Sequence, residues 1–324
     1  MWRRTACAFL AYAIAACGGS STGPAGSGGS GVGGTAAGGA VGSGGAAGSA
    51  ATGGAGIGGG GTAATGGSGG LAGSGGVAGS PDCTAKCGLP GCPACSGPTM
   101  VSNQEPEGAK YRIDTTEVTN AQYTEFLNAA VPVANQPSDC SWNDDYAPDT
   151  SEPGCTASLF NLGTRATYPV VCVDWCDARA YCEWAGKRLC LNAGGKPTDG
   201  FPSAEWVYAC SANDTQTFPY GDSYDTNACN GQDHGVKGLV PVASLPSCEG
   251  GLPGLFDMSG NAYEWEGTCN DPGPLANCSA SGGSYKWDNI NGKLQCIPTI
   301  GGQSPARTSH WNDLGFRCCA DALP

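Results

Sequence analysis

The stretch YPVVCVDWCDARAYCEWAGKR, residues 168–188, sets the architecture around it. Asp174 stands directly before Trp175, and an aspartate in that position can accept from the free amides of a helix's first turn. Trp175, Ala178, Tyr181, Cys182 and Ala185 then recur at three- and four-residue spacing, which lines them along one side. Gly186 follows as the stop, because glycine takes the left-handed conformation that closes many helices. The stretch predicts one capped amphipathic helix carrying Cys182 on its apolar side.

Working outward, Thr119-Asn120-Ala121-Gln122 is a capping box, with Tyr123, Phe126, Leu127 and Ala130 following at helical spacing. On the other side, a short helix is expected from Ser203, carrying Trp206 and Cys210. Elsewhere Gly, Pro, Asn and Asp interrupt every short apolar run. The expectation is a loop-rich α+β domain with little regular secondary structure, covering residues 97–324.

The cysteines need a compartment before they can be read. The chain of 324 residues opens with Arg3 and Arg4, then an apolar run from about Ala6 to Ala16, then Cys17. That run is shorter than the ~20 apolar residues a bilayer span requires, so residues 1–16 read as a signal peptide. Ile14-Ala15-Ala16-Cys17 resembles the bacterial lipobox, which implies lipidation at Cys17. The protein is then expected to be extracytoplasmic and membrane-anchored, at the outer membrane or cell surface. A secretory signal cut elsewhere would also place the domain outside the cytoplasm. Setting aside Cys7 and Cys17, 18 of the 20 cysteines remain, an even number in an oxidising compartment, where disulfides are the default.

Residues 17–82 are nearly all Gly, Ala, Ser and Thr. Such a chain buries too little apolar surface to offset its ordering entropy and serves as a tether, with a reach of roughly 45 Å. Residues 83–96 hold Cys83, Cys87, Cys92 and Cys95, read as a small cap closed by two local disulfides rather than as a zinc knuckle. A net charge of −13 argues against nucleic acid and anionic membrane surfaces as partners. With only His234 and His310 present, a histidine-centred catalytic site is not expected.

Seven segments occur in order: EVTNAQYTEFLNA, YPVVCVDWCDARAYCEWAGKR, AEWVYAC, FPYGD, GLFDMSGNAYEWEG, GGSY and GFRC. This ordered series resembles the formylglycine-generating enzyme (sulfatase-modifying factor) family over essentially all of residues 97–322. The resemblance implies a formylglycine-generating-enzyme fold, related to C-type lectins and low in regular structure. It implies a disulfide between Cys182 and Cys318. The family's partner for Cys210 falls on Ser304 here, so Cys210 needs another, for which Cys296 is the candidate. It implies a calcium site formed by the Asp257 and Glu264 side chains with the carbonyls of Gly260 and Ala262, a mixture of hard oxygens suited to Ca²⁺. A bare turn, with Asp257 and Glu264 bonded to backbone amides, is the competing reading. A second family site would use Asn227, Ala228 and Val236, but its acidic ligand falls on His234, a poor partner for a hard cation.

The family's active members hold copper with two cysteines, one two residues after GGSY and one five residues further on. Those positions are Trp287 and Gly292 in GGSYKWDNINGKLQC, residues 282–296. Neither can bind copper or exchange thiols. The resemblance therefore implies a scaffold without copper and without formylglycine chemistry: a pseudoenzyme serving as a binding or structural module. Candidate ligands are a glycan, a peptide or another envelope protein, with Tyr285, Trp287 and Trp311 as an aromatic surface. A divergent oxidoreductase is the alternative, for which Arg307, His310, Asn312 and Asp313 are the polar groups to inspect. A third possibility is residual activity through Cys296. The segment LNAGGKPTDGFPSAEW, residues 191–206, lengthens a loop relative to the family.

Overall fold

A computed structural model describes residues 86–89, 92, 94–191, 204–298 and 303–323. The signal, Cys17, the tether and Cys83 lie outside the described residues, as does most of the lengthened loop. Among the described residues no helix is long and apolar enough to cross a membrane.

Two small sheets organise the domain. In the first, β1 (Met100–Gln104) and β2 (Lys110–Asp114) form a hairpin, β2 pairs with β7 (Cys318–Asp321), and β7 pairs with β3 (Arg188–Leu189), all antiparallel. In the second, β4 (Tyr263–Cys269) is central, antiparallel to β5 (Cys278–Ser281) and parallel to β6 (Leu314–Phe316). Arg317 is the single residue between β6 and β7, so it sits where the chain leaves one sheet for the other.

The helices follow their caps. In α1 (Asn120–Asn128), Thr119 Oγ1 accepts from Gln122 N while Gln122 Oε1 accepts from Thr119 N, which closes the capping box. Tyr123 and Phe126 are buried, but Leu127 points outward and Ala130 lies beyond the helix with φ of 51°, so the apolar side is narrower than the spacing suggested. A four-residue turn, α2 (Leu162–Arg165), is capped by Asn161. In α3 (Trp175–Trp184), Asp174 and Asp177 form a second reciprocal box. Gly186 adopts φ of +71° just past the C-cap, a conformation that would strain a side chain there. The last helix, α4 (Ala204–Cys210), packs fully buried Trp206 into the core.

The core sits between α1, α3 and the second sheet. Tyr181 lies 5.7 Å from Tyr123 and 5.4 Å from Phe316, ring centre to ring centre, and Phe126 lies 5.6 Å from Trp184. Each such buried ring contributes roughly 1.5–3 kcal/mol by leaving water. Disulfides fasten the periphery to this core. Cys182 on α3 is bonded to Cys318 on β7, and Cys210 on α4 is bonded to Cys296. In the Cys-rich segment Cys87 is bonded to Cys95, and Cys92 is also disulfide-bonded.

Candidate functional site

Three regions carry the polar chemistry. The first is the stretch after GGSY. Lys286 Nζ bonds Asp313 Oδ1 at 2.7 Å and also reaches Asn312, while Ser284 Oγ donates to Asp313 Oδ2 at 2.6 Å. Asp313 and Asn312 are thus consumed in holding this stretch down. The Trp287 carbonyl accepts from Gln232 N at 2.8 Å, its ring packs against the main core, and Lys293 Nζ lies 3.1 Å from the ring centre. Gly292 ends a 3₁₀ turn with φ of +69°. Cys296 is fully buried in its bond to Cys210. Among the described residues every cysteine is disulfide-bonded. Tyr285, Trp287 and Trp311 do not form one exposed aromatic face: all three are half-buried, and Tyr285 packs against a different cluster from the two tryptophans.

The second region surrounds Glu264. Its Oε1 accepts from Arg317 Nη2 at 2.7 Å, and its Oε2 accepts from Arg317 Nε at 2.6 Å and from Trp206 Nε1 at 2.8 Å. Glu264 and Arg317 are both fully buried. Asp257 Oδ2 accepts from Ala243 N at 2.6 Å, and Asn261 Nδ2 donates to Glu117 Oε1 at 2.8 Å. Asp257 Oδ1 and Glu117 Oε2 are buried with no hydrogen-bond donor. Burial pushes the Asp257 carboxyl up to about 6, and burial together with the Asp257 charge raises Glu117 well above the ordinary range. Gly260, at φ +81°, passes so close to Asn230 that a Cβ would lie 2.5 Å from its carbonyl oxygen.

This arrangement does not fit calcium as the resemblance composed it. Asp257 keeps an oxygen to offer, but both Glu264 oxygens face a guanidinium whose positive charge opposes a dication at that carboxylate. The four-oxygen set of Asp257, Gly260, Ala262 and Glu264 would require Glu264 to hold Arg317 and a dication at once. Glu264 is the anchor of Arg317, and neither Arg317 nor Glu117 was singled out from the sequence. At the second family position, the carbonyls of Asn227 and Ala228 accept from Ser247 Oγ, and Val236 is exposed. Cys190, Cys319 and Glu205 bring three potential ligand atoms within 4.8 Å. The two sulfurs are bonded to each other, however, and Glu205 is held by Arg188 and the Leu191 amide.

The third region is a pair of open clefts on either side of the N-terminus of α3. One, of about 560 Å³, is lined by Asp139, Trp175, Arg179, Arg188, Cys269 and Arg307 among others. Arg307 and Arg179 lie 4.2 Å and 5.4 Å from the Trp175 ring centre, and both bond Asp139 Oδ2 at 3.1 Å. Arg188 forks onto both Glu205 oxygens at 2.7 Å. The cleft therefore pairs fixed cations with fixed anions around one indole. The other cleft, of about 490 Å³, collects Asp144, Asp145, Asp149, Asp174, Asp177 and His310. Burial pushes Asp174 up to about 6, and burial plus the Asp174 charge raises Asp177. His310 Nε2 stands 3.1 Å from Asp149. Of the polar groups flagged near the C-terminus, Arg307 and His310 line clefts, while Asn312 and Asp313 bind Lys286. The clefts were not legible in the sequence, because their walls come from the loop at 139–150, α3, β4 and residues 307–310.

Comparison with known proteins adds to this geometry. The family model described as sulfatase-modifying factor enzyme 1-like domain matches residues 88–322. The formylglycine-generating enzyme of Mus musculus is 30% identical over 213 residues, which are 57% of this chain and 50% of that protein. The protein called inactive C-alpha-formylglycine-generating enzyme 2 of Bos taurus is 31% identical over 49% of this chain and 52% of its own length. The formylglycine-generating enzyme of Mycobacterium tuberculosis is 29% identical over 66% of this chain and 88% of its own length. The chain spans about half the length of the mammalian relatives it matches.

Proposed function

The chain belongs to the sulfatase-modifying factor family, and from that premise we propose that it is a binding member of the family that has lost copper–thiol chemistry. The observation that carries this reading is the pair Trp287 and Gly292 at the positions where the resemblance places the copper-holding cysteines. Among the described residues no free thiol nearby substitutes for them. Cys296 is fully buried and already bonded to Cys210, so it offers no thiolate without unfolding its surroundings. Soft Cu(I) needs thiolate or thioether ligands, and an indole packed under Lys293 supplies neither. A mammalian relative at 31% identity bears the word inactive in its name, so the family accommodates such a state.

The ligand would sit in the arginine-lined cleft. Its donors and acceptors stand side by side on Arg179, Arg188, Arg307, Asp139 and Glu183, which suits a ligand offering both kinds of group: a glycan, a peptide or a loop of another envelope protein. The lipobox-like Ile14-Ala15-Ala16-Cys17 and the glycine-rich tether would hold this cleft away from a membrane on the extracytoplasmic side.

The test is direct. Mature protein supplied with copper, oxygen, reductant and a cysteine-bearing sulfatase peptide should yield no formylglycine, assayed by aldehyde-specific labelling and peptide mass. Conversion of the peptide that persists in Cys296→Ser would show a second catalytic centre and end this reading.

A further inference from the structure

Residues 97–323 contain seven disulfides, and in six of them both cysteines are buried. The seventh joins Cys269 at the end of β4 to Cys278 at the start of β5, two residues directly opposite in the register. Cys278 is fully buried, but Cys269 is partly exposed and lines the 560 Å³ cleft. Arg307 Nε points at Cys269 Sγ from 3.4 Å. The guanidinium cannot turn away, because Nη1 is held by the Asp139 carbonyl at 3.0 Å, Asp139 Oδ2 at 3.1 Å and the Pro272 carbonyl at 3.1 Å. A fixed cation beside a sulfur lowers the cost of a thiolate there, and accessible sulfur in an electropositive setting is where thiol–disulfide exchange proceeds.

We propose that Cys269–Cys278 is a thiol-exchange site, the one bond in this domain that a small thiol or an exposed cysteine of another protein can open in the folded state. An incoming thiolate reaches Cys269 Sγ from the cleft, forms a mixed disulfide there and expels Cys278 as a thiolate, which takes a proton. A second thiolate attacks its partner's sulfur in that mixed disulfide and leaves as the substrate disulfide. Cys269 is released as the thiolate that Arg307 contacts. Two thiols are oxidised to one disulfide and one protein disulfide is reduced to two thiols, so electrons balance. Opening the bond frees the turn between β4 and β5, whose Asn270, Asp271 and Pro272 form one wall of the cleft, so the exchange also resets the cleft's rim. This inference stands independently of the binding function proposed above.

The test uses the mature protein in non-denaturing buffer with a graded ratio of reduced to oxidised glutathione, an alkylating trap and peptide mapping. Cys269 and Cys278 should take label at a ratio where Cys182, Cys190, Cys210 and Cys318 take none, and the glutathione adduct should appear on Cys269. Labelling of the buried pairs at the same ratio or a milder one would overturn the proposal, as would labelling of Cys269 and Cys278 only when circular dichroism reports unfolding. Cys269→Ser with Cys278→Ser should keep the native spectrum and lose the early label. Arg307→Gln, where it folds, should slow release of Cys269 from its glutathione adduct about threefold through a less stabilised thiolate, and an unchanged release rate would remove Arg307 from the account. The labelling order of the unsubstituted protein decides the matter should that variant not fold.

Discussion

The two ends of β4 lie in opposite surroundings, one buried and one at a cleft. At its beginning, Glu264 is fully buried, holds Arg317 with both oxygens and receives the Trp206 indole. At its end, Cys269 is partly exposed, lines a cleft and faces Arg307. Both ends pair an arginine with a polarisable or charged acceptor, yet only the second is open to solvent. A carboxylate whose two oxygens are engaged by three buried donors is structural, whereas a cysteine lining a cleft is placed for reaction. The resemblance placed the functional ion at the buried end, but solvent and space lie at the other.

The largest expected effect is at Glu264. Glu264→Ala removes the carboxylate that forks onto the buried Arg317 charge and should cost about 3–5 kcal/mol in denaturant unfolding. Chelator added to the unsubstituted protein should leave the midpoint unchanged, because Glu264 holds a guanidinium rather than a metal ion. A chelator-induced loss as large as that of Glu264→Ala would break the comparison. At the open end, Cys269→Ser with Cys278→Ser removes a bond across a sequence separation of 9, which should cost about 2.5 kcal/mol on the loop-entropy scale. Folding should survive, since the other disulfides and the core are untouched. Loss of cooperative folding would mean that the rim is as structural as the Glu264 end.

A smaller effect sharpens the contrast at the N-terminus of α3, between the clefts. Asp174 caps α3 and is pushed up to about 6 by burial, above its ordinary value. A group whose folded pKa is raised contributes stability that is full at acid pH, below its unfolded pKa, and is lost as pH rises through about 6. Asp174→Asn keeps an N-cap acceptor and removes that titration. Thermal melts of this variant should therefore depend less on pH between 4 and 7, by on the order of 1 kcal/mol. An unaltered profile would assign the pH dependence elsewhere, Asp177 first.

The helices were legible in the sequence because their signals are local. Thr119 with Gln122, and Asp174 with Asp177, settle each start within one turn, and Gly186 settles one end. The family resemblance implied the Cys182–Cys318 bond, and Cys296 was the candidate for Cys210 because the family's own partner position is Ser304 here. What the sequence did not show depends on distant partners. Arg317 is 53 residues from Glu264, and nothing local in GFRC or YEWEG announces a buried fork between them. Periodicity puts Leu127 in the core, but Asn120, Tyr123 and Phe126 form the buried side of α1 and Leu127 is exposed. The clefts and the partly exposed Cys269 required the whole topology, since the cysteine spacing leaves the pairing of Cys269 with Cys278 undetermined.

The central claim, that the family scaffold persists here without a copper–thiol centre, is tested most directly by titrating the purified protein with Cu(I) against a competing chelator. With Trp287 and Gly292 at the inherited positions and Cys296 bonded, the chelator should retain the copper at one equivalent of protein, with no thiolate–copper absorption. A stoichiometric Cu(I) complex that survives the chelator and vanishes in Cys296→Ser would contradict the account.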